Sequence, residues 1–514
     1  VVVIALTGTA CAGAVGKDTT AAGPGPGAPS APSAVPAPGS GQGTVPAAAG
    51  QPVDTGTTGT TIVGATSGPT AAGGAAATGS PRTGVSGPAA VLNRQSAASA
   101  GPLGGGGGTS AAGQGGSSTG GGSATGPGQS SSVGGGAGDV PGGGTPSVPG
   151  TTTGVTKDTI TIGLMYPKTG FYTGLARNAP AATQAAFDEA GPINGRRVVL
   201  KYYDDGSENA STIQLEEKRA KDEVFALISV VSESNVVLAP LADQHKVPAV
   251  IGNIDQKVAL PLTYVFPLYA YWARMATILP SFIKNGLNGG GKKIGVVYET
   301  TSTATDAKNA FKDKAKELGL NVVFEQPIAV SQSACANEVA NLQAHGVELV
   351  FMMNGPLGAI CMLRDARALG YKPTWTGVGT SWSFNVVAQA SGGGADGIKT
   401  ISTTTTLETP AGRHYAELMR KVAPNSGADD DDITMLWYAL TVTTIEALRR
   451  AGPDLTREGF VETMETKMNG YDSGYLPPPT FGPKVRYGPT SVGISACCTA
   501  GKWTTPQQGW RATF

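Results

Sequence analysis

Ser232-Glu-Ser-Asn235 places two hydroxyls, a carboxylate and a carboxamide in four consecutive residues, between an apolar run over 225–230 and helical spacing over 234–245. A helix starting there leaves its first backbone N–H groups unpaired, and together with the hydroxyls these favour an anion such as a carboxylate. Ser234 as a simple helix cap is the plainer reading, and the two are compatible. Metal and nucleophilic chemistry are poorly served. The three histidines, His245, His345 and His414, lie far apart with no cysteine or acidic neighbour at ligand spacing. Asp429 to Asp432 lacks the interleaving and glycine of a calcium loop and reads as solvated charge ahead of a helix, while Asp204-Asp205-Gly206 reads as a turn. There is no Gly-Lys-Ser/Thr phosphate loop and no Gly-x-Ser-x-Gly elbow. An enzyme is disfavoured, and no cofactor or metal is expected.

The 514 residues carry 37 Lys and Arg against 37 Asp and Glu, so nothing draws the chain to nucleic acid. No uncharged apolar run approaches the roughly 20 residues that span a bilayer. From Lys157 onward, short β-branched runs alternate with longer amphipathic stretches. Strands are predicted over 160–165, 198–203, 225–230 and 247–251, with helices over 174–190, 208–222 and 234–245 between them. A second series starts afresh, with strands over 293–298, 321–324, 348–353 and 374–378 and helices over 304–318, 335–345, 356–369 and 382–391. This alternation implies right-handed βαβ units in parallel sheets covered on both faces, an α/β fold of two similar lobes. The chain is expected to cross between lobes near 267–273 and 392–398. One lobe is then 157–270 with 396–480, the other 271–395 with 481–514.

Residues 12–156 are a different material. They hold 41 glycines in 145 residues and six charges, too little apolar surface to offset the entropy of ordering. They read as a disordered tether. Ahead of it, residues 1–11 run from an apolar stretch through small residues into Cys11, as at the end of a signal peptide. The stretch resembles a bacterial lipobox, which implies lipidation of Cys11 and anchorage to the outer face of a membrane; an ordinary cleaved signal or an unrelated cysteine are the alternatives. Each places the protein outside the cytoplasm, where thiols persist as disulfides. Cys335 and Cys361 belong to adjacent βα units and are expected to pair. Cys497 and Cys498 can bond to each other, bond elsewhere or stay reduced.

The order of local sequences is specific where single motifs are not. Thr159-Ile-Thr-Ile-Gly-Leu-Met-Tyr-Pro-Lys-Thr-Gly170, Ala185-Ala-Phe-Asp-Glu-Ala190, Ile193-Asn-Gly-Arg-Arg-Val198, Tyr202-Tyr-Asp-Asp205, Val224-Phe-Ala-Leu-Ile228 and Lys246-Val-Pro-Ala-Val250 follow one another, continued by Lys293-Lys-Ile-Gly-Val-Val-Tyr298 and residues 366–373 and 435–448. Together they resemble the type I periplasmic binding proteins of the branched-chain amino-acid kind over essentially all of 157–514. The resemblance implies two α/β lobes joined by three crossovers, hinge closure on a small solute, and delivery by a monomer to the membrane permease subunits of an ABC importer. A sensor of the same fold, or a tethered surface module that binds nothing, are the alternatives.

The resemblance also implies the contacts. Ser232, Ser234 and Asn235 match the carboxylate-binding loop, and Asn253 the next contact position. Phe171 or Tyr172 can stack on the solute from the loop after the first strand. Tyr298, Asn354, Thr380 and Trp382 complete the ring from the other lobe. Amino-acid members carry an acidic residue in the loop after the fourth strand of the second lobe, to pair the ligand ammonium. Here residues 377–383 read Gly-Val-Gly-Thr-Ser-Trp-Ser. The expectation is therefore a small carboxylate or amide-like solute, with Glu233 or Glu299 able to supply the missing charge from elsewhere.

Overall fold

The structure, a computed structural model, describes residues 150–378, 384–504 and 511–513. The expectations for Cys11, for residues 1–11, for the tether up to 149, and for Thr380 and Trp382 lie outside the described residues. Strand follows helix as the sequence periods require. In the first sheet, β1 (Thr159–Tyr166), β2 (Arg197–Asp204), β3 (Ala226–Ser229), β4 (Ala249–Ile251) and β5 (Val265–Pro267) take the order β2-β1-β3-β4-β5, every pair parallel. The three strands at the β5 end of the sheet, β3, β4 and β5, are fully buried, which explains their largely apolar runs.

The second sheet repeats the scheme. β6 (Lys293–Glu299), β7 (Asn321–Ile328), β8 (Leu349–Met353) and β9 (Thr374–Gly377) lie in the order β7-β6-β8-β9, again parallel. Helices begin just after their strands. Thr301 accepts from Ala304 N–H to cap Ser302–Glu317, and Asn209 accepts from Thr212 N–H to cap Ala210–Ala220. Among the described residues no helix is long and apolar enough to cross a membrane.

After β9 the chain departs from simple alternation. β10 (Lys399–Ser402) lies beside β9, where the Thr376 hydroxyl donates to Lys399 O at 3.0 Å and the Thr400 hydroxyl to Gly377 O. It pairs antiparallel with β13 (Ser491–Thr499). β10 thus falls inside 396–480, the stretch expected with the first lobe, yet packs beside the edge strand of the second sheet while pairing with β13 in a separate sheet. The chain leaves the second lobe only at 403–409, ahead of the helix Pro410–Val422. The hairpin of β11 (Pro479–Gly482) and β12 (Val485–Pro489) falls, from Phe481 onward, in the stretch expected with the second lobe but packs on the first, through Phe481 on Phe266 and Arg486 on Thr263 O. Three passages therefore join the lobes, at 268–271, 403–409 and Thr490. The first and third touch at Gly488, where φ is +61° and a Cβ would stand 2.7 Å from Pro267 O.

Two further departures concern single segments. Residues 150–156, expected in the tether, belong to the folded body: Arg457 N–H donates to Thr151 O at 2.9 Å, and Gly154 at φ +78° lies so close to Phe225 that a Cβ there would stand 2.2 Å from its backbone nitrogen. Asp432, expected to be solvated, is buried; its carboxylate accepts from Asn385 N–H at 2.8 and 2.9 Å, joining the start of the helix Asn385–Ala390 to the segment before Thr434–Ala451. Asp431 instead caps that long helix, accepting from Thr434 N–H at 3.0 Å. Cys335 and Cys361 form a disulfide with Cα atoms 5.4 Å apart, and Cys497 bonds to Cys498, one of its three open alternatives.

Arg486 holds the third passage in place. Wholly buried, it donates to Gly482 O at 2.9 Å, Val485 O at 3.0 Å and the Glu465 carboxylate at 2.6 Å, and lies 4.5 Å from the Phe266 ring centroid. Truncation leaves Glu465 and three carbonyls, those of Gly482, Val485 and Thr263, without their donor. Arg486→Ala is expected to lower stability by about 3–5 kcal/mol, read as the shift in urea unfolding of the full chain.

Candidate ligand-binding cleft

A cavity of about 100 Å³ lies between the two lobes. The first lobe contributes Tyr172, Glu208, residues 230–233, Asn253 and Tyr269; the second contributes Trp272, Glu299, Thr301, Gly355, Pro356 and Phe384; and the long helix Thr434–Ala451 adds Leu436 and Trp437. Most of this wall is apolar. Its polar groups are few and concentrated, and three of them are glutamates.

Each glutamate is positioned by backbone. Glu208 sits at φ +72° after Gly206 (φ +60°) and Ser207 (φ +53°), a run of left-handed conformation that turns the chain back toward the cleft. The turn is held from both sides. Asp204 accepts from Lys168 N–H at 2.9 Å, Thr169 N–H at 3.1 Å and Gly206 N–H at 2.9 Å, and Asp205 accepts from Ser207 N–H at 2.8 Å and the Ser234 hydroxyl at 3.0 Å. The Glu208 carboxylate then lies against the N–H of Glu233, in the first turn of the helix Ser232–Gln244. Glu233 in turn faces the N–H and hydroxyl of Thr303 and the hydroxyl of Thr301, at the start of Ser302–Glu317 in the other lobe. These contacts oppose a rise in the Glu233 pKa that burial dominates, yet neither Glu233 Oε1 nor Thr303 Oγ1 closes a hydrogen bond of normal geometry. Glu299, at the end of β6, accepts from Gly355 N–H at 2.7 Å, where Pro356–Ala368 begins.

Burial dominates the acidity of this group. It pushes Glu208 up to about 8, with the charges of Glu299, Glu233 and Asp205 adding to the rise and the Glu233 N–H opposing it. Glu299 is likewise raised to about 8 by burial and then by Glu233, against the Gly355 N–H. Burial also raises Glu233, and it raises Asp205 to about 6. The tyrosine opposite, Tyr172, is pushed well above its ordinary range by burial and then by Glu299.

Of the residues expected at the site, Tyr172, Ser232 and Asn253 line the cavity, with Asn253 Nδ2 donating to Ser232 Oγ at 3.3 Å. Ser234, Asn235 and Asn354 are fully buried behind it and serve neighbouring backbone and side chains: Ser234 binds Asp205, Asn235 Nδ2 donates to Asn253 O at 2.9 Å, and Asn354 Nδ2 to Gly355 O at 2.9 Å. Phe171 is exposed and packs on Tyr172 at 4.5 Å between ring centroids, and Tyr298 lies under Lys308; neither reaches the cavity. Sequence reasoning missed Glu208, Trp272 and Trp437. The Asp-Gly-Ser turn before Glu208 was a usable signal, whereas nothing local distinguishes Trp437 from its neighbours in a buried helix.

The raised carboxyls link stability to pH. With ordinary values near 4.5 and folded values of about 8 for Glu208 and Glu299, the empty fold binds more protons than the unfolded chain between those limits. Their contribution is complete below pH 4.5 and is lost as pH rises through 8, with a slope of at most about 1.4 kcal/mol per pH unit for each carboxyl. Urea unfolding of the full chain from pH 5 to 9 is expected to show stability falling with pH, and Glu299→Gln to flatten the curve. A rise in stability over that range contradicts the assignment.

The periplasmic binding protein family profile matches residues 159–503. A Leu/Ile/Val-binding protein homolog 8 of Brucella abortus is 26% identical over 246 residues, covering 45% of this chain and 61% of that protein. The chain thus spans about three fifths of the length of the curated relatives it matches. A fatty acid ABC transporter substrate-binding protein from Thermomonospora curvata superposes with a TM-score of 0.61 at 22% identity, over 71% of this chain and 95% of its own. A branched-chain amino acid ABC transporter from Thermus thermophilus with bound valine gives 0.62 at 18%, over 70% and 98%. At these identities the solved structures speak to fold alone, and they share the two-lobed α/β architecture. With the family profile covering both lobes and the cleft, this chain belongs to the periplasmic binding protein family.

Proposed function

We propose that this chain captures a small solute between its lobes outside the cytoplasm and hands it to the membrane subunits of an ABC importer. The observation that carries the reading is a cavity walled by both lobes, since a solute touching both stabilises the closed arrangement over the open one. The relatives from Thermomonospora curvata and Thermus thermophilus, described as binding proteins or transporters for a fatty acid and for branched-chain amino acids, support the role and differ in solute. The site residues on this reading are Tyr172, Ser232 and Asn253 with Glu208, Glu233, Glu299, Trp272 and Trp437. A lipid on Cys11 and the Gly-rich stretch behind it would hold the trap near its importer.

The cavity suits a solute with an apolar or aromatic body. Of the carboxylate and amide-like classes expected from sequence, the amide-like is better served. Trp437 Nε1 is a buried donor without a partner among the described residues and suits a neutral acceptor, whereas a carboxylate meets three glutamates.

Small-angle scattering and thermal shift of the full chain against a nutrient library test the proposal. A productive solute is expected to compact the protein at one molecule per chain and to leave it chemically unchanged. Trp437→Phe, which keeps a ring and removes the donor, is expected to weaken binding about 5- to 10-fold, the equivalent of one buried hydrogen bond. Compaction by no solute, or turnover of one, sinks the reading. Loss of uptake on deletion of a neighbouring permease separates transport from sensing.

A further inference from the structure

Three helix starts face the cavity, and each is already met by a carboxylate of the protein itself. Glu208 lies on the N–H of Glu233 at the start of Ser232–Gln244. Glu233 lies on Thr303 N–H at the start of Ser302–Glu317. Glu299 accepts from Gly355 N–H at 2.7 Å at the start of Pro356–Ala368. The positive ends that would receive an anionic ligand are thereby engaged. No Lys, Arg or His lines the cavity among the described residues, and residues 379–383 contain no charged residue.

Apart from the Trp437 Nε1 donor, which suits a neutral acceptor, the unmet hydrogen-bonding capacity points the same way. Asn253, 2% exposed, lines the cavity with Oδ1 unpartnered among the described residues, and so does the hydroxyl of Tyr269, 1% exposed. Glu233 Oε1 is a third buried oxygen without a bond. Two of these are pure acceptors and the third can accept. An ammonium group brings three donors and no acceptor.

Resting on the reading of this cleft as the solute site, we propose that its ligand is a small organic cation, a protonated amine on an apolar body that lacks a carboxylate. A carboxylate entering the cavity would meet carboxyls that already hold protons, through burial and then through one another's charge, in a water-poor space, and would displace Glu208 from its helix start. An ammonium instead neutralises the cluster and satisfies the unpaired oxygens. The rings of Tyr172, Trp272 and Trp437 supply apolar area for the body and π faces for the charge. Binding is linked to proton release. The groups facing the ammonium are Glu208, Glu233 and Glu299, with Asp205, Asp255 and Tyr172 around them, and the two carboxyls raised to about 8 must ionise to receive it. Affinity for the amine therefore increases from pH 6 to 8.

Two matched trios test this by calorimetric titration of the full chain at pH 8: 3-methylbutylamine, leucine and 4-methylpentanoate; and 2-phenylethylamine, phenylalanine and 3-phenylpropanoate. Within a trio the body is shared and only the head changes. The amine is expected to bind at least about tenfold tighter than the amino acid, and the acid not measurably. Glu208→Gln is expected to weaken the amine about tenfold or more and to narrow its advantage over the amino acid. Glu233→Gln is a second variant should the first fail to fold, and the wild-type ranking needs neither. Tighter binding of the amino acid or the acid overturns the cation assignment while leaving solute capture standing. Compaction by no compound of these trios or of the wider library overturns both.

Discussion

A carboxylate taken out of water must find a proton, a cation or several N–H donors, and the cleft of this protein takes out three together. Each of Glu208, Glu233 and Glu299 lies on a backbone N–H at a helix start, but one such donor does not replace a hydration shell. Burial therefore leaves Glu208 and Glu299 holding protons to about pH 8. The surrounding structure follows from that constraint. The loop over 204–208 spends consecutive left-handed residues to bring one carboxylate round, and Asp204 and Asp205 are engaged in fixing that loop rather than facing the cavity.

The constraint acts across the two lobes, and this gives the hinge its leverage. Glu233 belongs to the first lobe and faces Thr301 and Thr303 of the second, while Glu299 of the second lobe raises the pKa of Glu208 in the first. The Lys257–Asp306 pair also spans the gap, but the lysine ammonium stays in water and the pair contributes little. What decides the closed arrangement is the buried charge between the lobes. The three passages near Gly488, Pro267 and 403–409 set only the axis about which they move.

Much of this architecture is written in local pattern. The first eight strands expected from alternating apolar runs and helical spacing find counterparts in the two parallel sheets, because period and burial coincide there. β5 escaped because its three residues run into the stretch at 267–273 read as a crossing between lobes, and β10 because four residues beside a Gly-rich loop look like linker while the bonds that recruit them come from Thr376 and Thr400. The site was legible in outline and not in detail. Ser234 and Asn235 were visible as polar residues opening a helix, but which face of its first turn looks into the cleft depends on Asp205 and Asn253, far away in sequence. Glu208 was hidden for the same reason: its role depends on a backbone conformation that residue type alone does not announce.

Proton and solute compete for one electrostatic vacancy. At a pH where the glutamates are protonated, the closed cleft tolerates emptiness, because neutral carboxyls side by side repel little. As pH rises past their pKa values, the empty closed arrangement must keep anions together without water, and opening, which rehydrates them, gains ground. A cation restores closure by supplying inside the cleft the charge that protons supplied before. If the cleft captures a cationic solute as proposed, the same three side chains penalise closing on nothing and favour closing on a solute of the right charge.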